Sequence, residues 1–312
     1  MPGSPLVVWR FSDGKAGHDN QSRGLVEALN RLRPVETLLL RPLSAVKALA
    51  ALAVGPPPAV WRSLLAPDLV VGAGHRTHVS LLAARRSRGG KAVVLMRPSL
   101  PLSLFDLCVI PEHDSPPARA NVLVTRGALN RIRPSAALEP DRGLLLIGGP
   151  SPHFGWDDTG LYRQIATVLA ATAEMRWTLT TSRRTPPSFL AGMTNGEADP
   201  MTGPRGILRI VPVDETGPDW LPAQLARASQ VWVTADSVSM VYEALSAGAA
   251  VGVLEVPQNR SNRVSRGLAR LAAQGWVTAF EDWRRTSRLS RPPSALDEAA
   301  RSARWIVERW FA

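Results

Sequence analysis

Between Val231 and Pro257 the chain runs VWVTADSVSMVYEALSAGAAVGVLEVP, a stretch that leaves few folds open. VWVTA is apolar and β-rich, Asp236 and Ser237 are residue types that cap helices, and Gly248 ends the short helix that follows. The uninterrupted apolar run AAVGVLEV is the pattern of a parallel strand covered on both faces. Ser239 and Glu243, four apart, share one face of the helix, with the serine at its amide-exposed end. A phosphate at that end beside Ser237, and a sugar diol on Glu243, would suit the spacing. A plainly capped helix with a solvated face would use the same residues.

The same alternation recurs along the chain. Leu6 to Phe11 reads as a strand, SDGKAGHDNQ as the turn opening a helix from Asn20 to Leu32, and VETLLL as a second strand. A helix from Ser44 to Ala53 and the breaker GPPP follow, then PDLVVGAG runs into His75, Arg76, Thr77 and His78. KAVVLMRP, FDLCVIPEHD and NVLVTRGALN continue the series, and RPSAALEPDR, residues 133–142, has the prolines and mixed charge of a linker. The pattern restarts with GLLLIGGPS, a capped helix in FGWDDTGLYRQIATVLAAT, and MRWTLTTSRRTP. Asn195 to Gly206 reads as a mobile loop, and ILRIVPV as a strand. A last helix, Ser294 to Phe311, carries Leu296, Ala299, Ala300, Ala303, Ile306, Val307 and Trp310 on one face that must be buried.

At 312 residues two domains are the default. The expectation is an α/β protein of two Rossmann-like domains facing a cleft: residues 1–138, residues 139–290, and a closing segment, 291–312, that packs back on the first.

Lys and Arg number 37 against 26 acids, a net charge of +11 that favours anionic partners. Nearly all the basic residues are arginine; Lys15, Lys47 and Lys91 are the only lysines. The single cysteine, Cys108, lies in an apolar run, which suggests a reducing compartment. No apolar stretch approaches the ~20 residues of a bilayer span, so a cytoplasmic protein, at most peripheral on the inner membrane face, is expected. No CxxC, HExxH or Asp-x-Asp occurs, so no metal and no bound cofactor are expected. GAGHRT lacks the third glycine of a dinucleotide fingerprint, and DGKAG lacks the P-loop spacing. No nucleic-acid module is recognisable, and nucleic acid is not an expected partner.

In open α/β sheets ligands bind beyond the carboxyl ends of the strands, and polar clusters gather at those ends here. GGPSPHFGWD offers Gly149 and Ser151 for a phosphate, with a tight turn as the plainer reading. TTSRRTP offers Ser182 and Arg183, with Arg184 next to them, and arginine there can fork onto a diphosphate. Ser237, Ser239 and Glu243 complete a donor side. In the first half Asp13, Lys15, His18 and Asn20 crowd one turn. His18 is a natural base for an acceptor hydroxyl, and Asp13 could take that role or orient it. His75 and Arg76, with His78, lie at the next strand end and could bind the acceptor.

The blocks SDGKAGHDNQ, VGAGHRTH, LMRPSLP, FDLCVIPEHD, NVLVTRGALNRI, LIGGPSPHFGWD, TTSRRTP and ADSVSMVYEA with VGVLEVP, taken together, resemble the mitochondrial-fission family first named from plants with elongated mitochondria, and its bacterial relatives. The resemblance implies a glycosyltransferase of the two-Rossmann-domain type, some members being labelled nucleoside-diphosphate-sugar epimerases. For plant members it implies recruitment of a dynamin-like fission protein. More distantly the layout is similar to the lipid-linked N-acetylglucosaminyl transferase of peptidoglycan synthesis. That likeness puts His18 at the first glycine turn, Glu243 on the nucleotide ribose, and Gln258, Asn259 and Asn262 against the donor sugar. The chain departs from it in having no Gly-Gly-Thr-Gly-Gly at the first turn. The resulting expectation is metal-independent transfer from a nucleotide-diphospho-sugar, used as co-substrate, to an envelope or lipid-linked acceptor. A non-catalytic recruitment protein keeping the fold is the alternative.

Overall fold

The computed structural model describes residues 4–53, 58–194, 208–259 and 263–312. Contacts divide the chain into two units, Met1–Arg131 with Glu298–Ala312, and Ile132–Asp297.

The first unit holds a six-stranded sheet in the order β2-β1-β3-β4-β5-β6. Its strands are β1 (Leu6–Phe11), β2 (Val35–Leu40), β3 (Leu69–Ala73), β4 (Lys91–Leu95), β5 (Leu107–Pro111) and β6 (Val122–Thr125), paired in parallel throughout. LVVGA and LCVIP are buried at every position, as strands covered on both faces must be. Helix α1 (Ala16–Leu32) packs Leu25 and Leu29 on one face, against Val8, Val71 and Val93. The opposite face takes α2 (Ala45–Ala53), α3 (Ala59–Arg62) and α4 (His75–Arg88) through Ala51, Trp61 and Leu81.

The second unit repeats the plan in the order β12-β11-β10-β7-β8-β9, again all parallel. The strands are β7 (Glu139–Leu146), β8 (Arg176–Thr180), β9 (Leu208–Val211), β10 (Ala228–Thr234), β11 (Ala250–Leu254) and β12 (Thr278–Ala279). Helices α5 (Asp158–Ala171), α6 (Pro187–Thr194), α7 (Trp220–Leu225), α8 (Val238–Ala247), α9 (Arg263–Ala273) and α10 (Phe280–Thr286) cover the two faces. Asp157 caps α5 by accepting the Gly160 amide at 3.0 Å.

Four expectations need correction. Residues 133–142 are not all linker, because β7 begins at Glu139. The mixed charge there is paired: Glu139 meets Arg142 of its own strand, Arg176 of β8 and Arg227 in the turn before β10, and Arg176 also reaches Asp141 at 2.7 Å. The final helix, α11 (Glu298–Trp310), starts four residues later than Ser294. Ala299, Ala303 and Ile306 join the core of the first unit, whereas Leu296 is buried in the second. Helix α1 begins at Ala16 rather than Asn20, because the chain has already turned at Gly14 with φ +81°, so His18 stands on the first helical turn. Finally, Asp236 and Ser237 do not cap α8 with their side chains; both are engaged elsewhere. The stretch Asn195 to Gly206, and Asn262, lie outside the described residues.

Candidate functional site

In each sheet the chain moves outward in one direction, returns to the centre and proceeds the other way. The strand order reverses between β1 and β3 in the first unit and between β7 and β10 in the second. At such a point the loops leaving the two strands diverge and open a crevice, which is where ligands bind in this class of sheet. The polar clusters found in the sequence stand at these two places.

In the first unit, the turn after β1 carries Asp13, and the first turn of α1 carries His18. Both carboxylate oxygens of Asp13 lie 3.0 Å from His18 Nδ1. A carboxylate facing that nitrogen requires a proton on it, so in the neutral ring the lone pair is on Nε2. Burial of the Asp13 carboxylate works to raise its pKa, but the Lys15 amide and the His18 ring outweigh it and hold the group below the ordinary value. Gly74, at the end of β3, closes the arrangement. A Cβ there would fall 2.3 Å from His18 Cε1, and its φ of +85° disfavours any side chain.

Beside this pair lies a depression of about 940 Å³, lined by Asp13, Leu39, Arg41, Leu43, His75 and Arg76 among others. His75 and Arg76 are exposed at the start of α4, Lys15 is exposed beside Asp13, and Asn20 is half-buried on α1. His78 is different. It is 3% exposed, with Nδ1 3.2 Å from Ser99 Oγ and its ring edge-on to Phe105. Burial, then the neighbouring His75 and His18, lower its pKa to about 4, so it is a neutral core residue rather than part of an acceptor surface.

In the second unit, the loops after β7, β8 and β10 meet around Asp236, whose side chain is fully buried. Its Oδ2 accepts from the Gly149 amide at 2.9 Å, Ser237 Oγ at 2.9 Å and Arg184 Nη2 at 2.7 Å. Arg184 Nη1 donates to the Gly149 carbonyl at 2.7 Å, and the Gly148 amide donates to Thr234 Oγ1 at 2.8 Å. The room made by the glycines is thus filled by the protein itself. A Cβ on Gly148 would lie 2.1 Å from Ser237 Oγ, and one on Gly149 2.1 Å from the Arg184 carbonyl.

The other donor-side residues differ in their surroundings. Ser151 Oγ accepts the His153 and Phe154 amides of its own turn, and Ser182 Oγ accepts the Arg184 amide. Arg183 and Ser239 are exposed, and Glu243 is half-buried one turn further along α8. Gln258 bridges to Phe154, and the Asn259 amide donates to His153 at 3.1 Å, stitching the turn after β11 to the loop after β7. Next to it a pocket of about 340 Å³, lined by Phe154, Ala235, Val253, Gln258, Leu268 and Ala272 among others, opens beyond the ends of β10 and β11. Sequence reading missed the central part of Asp236, seen only as a cap, and passed over Arg184 for Arg183. The signal was the Gly-Gly pair, whose missing side chains leave room for Ser237 and Asp236 at Gly148 and for Arg184 at Gly149.

A profile of the family described as mitochondrial fission ELM1 matches residues 16–310. Among solved structures, the chain is similar to a Listeria monocytogenes protein assigned as a UDP-N-acetylglucosamine 2-epimerase, with a TM-score of 0.58 and 13% identity over 98% of this chain and 97% of that one. It is similar to the UDP-GlcNAc 2-epimerase of Neisseria meningitidis bound to UDP-GlcNAc, with a TM-score of 0.50 and 11% identity over 98% and 99%. A glycosyltransferase from Rickettsia africae gives a TM-score of 0.50 at 8% identity over 98% and 99%. The fold shared with these proteins is the two-unit Rossmann-like architecture of GT-B glycosyltransferases and related epimerases.

Proposed function

The chain belongs to the mitochondrial fission ELM1 family, and from that premise we propose that it transfers a sugar from a nucleotide-diphospho-sugar to a hydroxyl acceptor of the envelope or lipid-linked class. The observation that carries the reading is the Asp13–His18 pair at the strand-order reversal of the first unit, with Nε2 left to accept a proton. In the proposed step the acceptor oxygen forms a bond to the anomeric carbon as the bond from that carbon to the diphosphate breaks. The diphosphate leaves with the electron pair, and the acceptor proton passes to His18 Nε2. Asp13 keeps the ring in the required tautomer and steadies the imidazolium. Lys15, Asn20, His75 and Arg76 are assigned to the acceptor.

On the donor side, Arg183 and Ser239 with the first amides of α8 are assigned to the diphosphate and Glu243 to the ribose, while Arg184 and Ser237 hold the surrounding loops through Asp236. The pocket of about 340 Å³ has the size and apolar lining for one heterocyclic base, with Gln258 and Asn259 toward the sugar. Positive charge and helix amides would carry the leaving-group charge without a metal. The acceptor is assigned to the inner face of a membrane.

The test is calorimetric titration with nucleoside diphosphates and their sugars, followed by a turnover assay that reads release of the nucleoside diphosphate in the presence of chelator. Donor binding retained in His18→Ala, with release slowed by roughly 100-fold or more, is the expected result. Epimerised donor without release would indicate the epimerase reaction instead. A properly folded chain that binds no nucleotide at all would favour the recruitment reading.

A further inference from the structure

The stretch from Thr37 to Pro67 contains no Asp or Glu but carries Arg41, Lys47 and Arg62. It also holds five of the large hydrophobic side chains exposed among the described residues: Leu39 at 60%, Val46 at 79%, Leu49 at 58%, Val60 at 61% and Leu65 at 53%. Helix α2 is the sharpest case. It turns Ala48 and Ala51 into the core, 1% and 6% exposed, and holds Val46 and Leu49 out. A helix whose only duty was to cover a sheet would do the reverse, because burying valine and leucine gains more than burying alanine. α3 lies over the same sheet face, with Trp61 buried and Val60 and Arg62 exposed.

From this we infer that the α2–α3 face docks the protein on an anionic lipid bilayer, with Val46, Leu49 and Val60 entering the headgroup boundary and Lys47 and Arg62 meeting lipid phosphates. The exposed large hydrophobic groups of this stretch are all aliphatic and the charges among them all positive, which matches an apolar layer beneath anionic headgroups. A second copy is a poor occupant, since two such faces would bring cations against cations across an interface in a chain of net charge +11. At nine residues α2 is too short to span a membrane and suits lying in its surface. The inference rests on and deepens the acceptor assignment above: Leu39, Leu40 and Leu43 of this same stretch line the depression beside Asp13, His75 and Arg76. A lipid-carried acceptor could therefore present its polar head to that depression while its chain stays in the bilayer.

Flotation of the full chain with vesicles of phosphatidylcholine, with and without phosphatidylglycerol, tests this. The expected result is binding only to the anionic vesicles, weakened by salt, and reduced by about tenfold or more in the double variant Val46→Glu, Leu49→Glu. Lys47→Glu should weaken it less. Both sites are exposed, and an unchanged melting temperature would show that the variants fold. Equal binding to neutral vesicles, no binding, or wild-type binding by the double variant would overturn the inference. So would concentration-dependent self-association, or capture of an acidic protein in place of lipid, that the double variant abolishes. Nucleotide titration of the same variants separates the two readings: loss of vesicle binding with nucleotide binding intact concerns this face alone, whereas vesicle binding without nucleotide binding sinks only the transferase.

Discussion

His18 and His78 show how position rather than residue type decides what a histidine does. They are near enough for the charge of one to act on the other, yet His18 is held against a carboxylate while His78 is sealed into the core. His78 stays neutral in the folded chain down to about pH 4, whereas in the unfolded chain it takes a proton near its ordinary value of 6.5. Between those values the unfolded state binds the extra proton, so this residue's share of stability is complete above pH 6.5 and is lost as the pH falls toward 4. The slope it can add is at most about 1.4 kcal/mol per pH unit. Denaturant melts from pH 7 to pH 4.5 should show that decline, and His78→Leu should flatten it. An unchanged pH slope in the variant would mean that other groups set it.

At the level of elements, the two arginines after β8 form a natural experiment. Arg184 holds the buried Asp236 carboxylate and the Gly149 carbonyl, tying together the loops after β7, β8 and β10, while Arg183 points to solvent. Asp236 already has one buried oxygen, Oδ1, without a hydrogen-bond partner. Removing Arg184 would leave the carboxylate short of its main counter-charge, so Arg184→Ala should lower stability by about 2–4 kcal/mol, with Arg183→Ala within about 0.5 kcal/mol of wild type. Equal effects in chemical denaturation would contradict the network. This pair also marks how far the sequence could be read. Continuous apolar runs identified the strands and their polar ends, because burial on both faces leaves a local pattern. Strand order is a non-local property, and it alone decides that the ends of β7 and β10 adjoin and that Asp236 meets Gly149. The linker reading of 133–142 failed for the same reason: the charge on Glu139 looks solvated until Arg176 of β8 and Arg227, in the turn before β10, arrive from far along the chain.

Across the whole molecule, each unit carries its own pair of cores, and no helix of the described residues is long and apolar enough to cross a membrane. The C-terminal helix makes the division testable, because it is last in sequence but belongs to the first unit. Ala299, Ala303 and Ile306 pack with Leu25 and Leu29 of α1, and Arg301 is held by Glu298 and the Val124 carbonyl of β6. Ile306 is fully buried, so Ile306→Ala removes three methyl or methylene groups and leaves a cavity, a loss of about 2–4 kcal/mol. Two units, each with cores of its own, give scope for two calorimetric transitions. In that case the substitution should move the transition of the first unit down by several degrees and leave that of the second in place. Leu296→Ala, ten residues earlier but buried with Val241 and Leu245, should do the opposite. A shift of the same transition by both variants would show that residues on either side of Asp297 share one cooperative unit, contrary to the division seen in their packing.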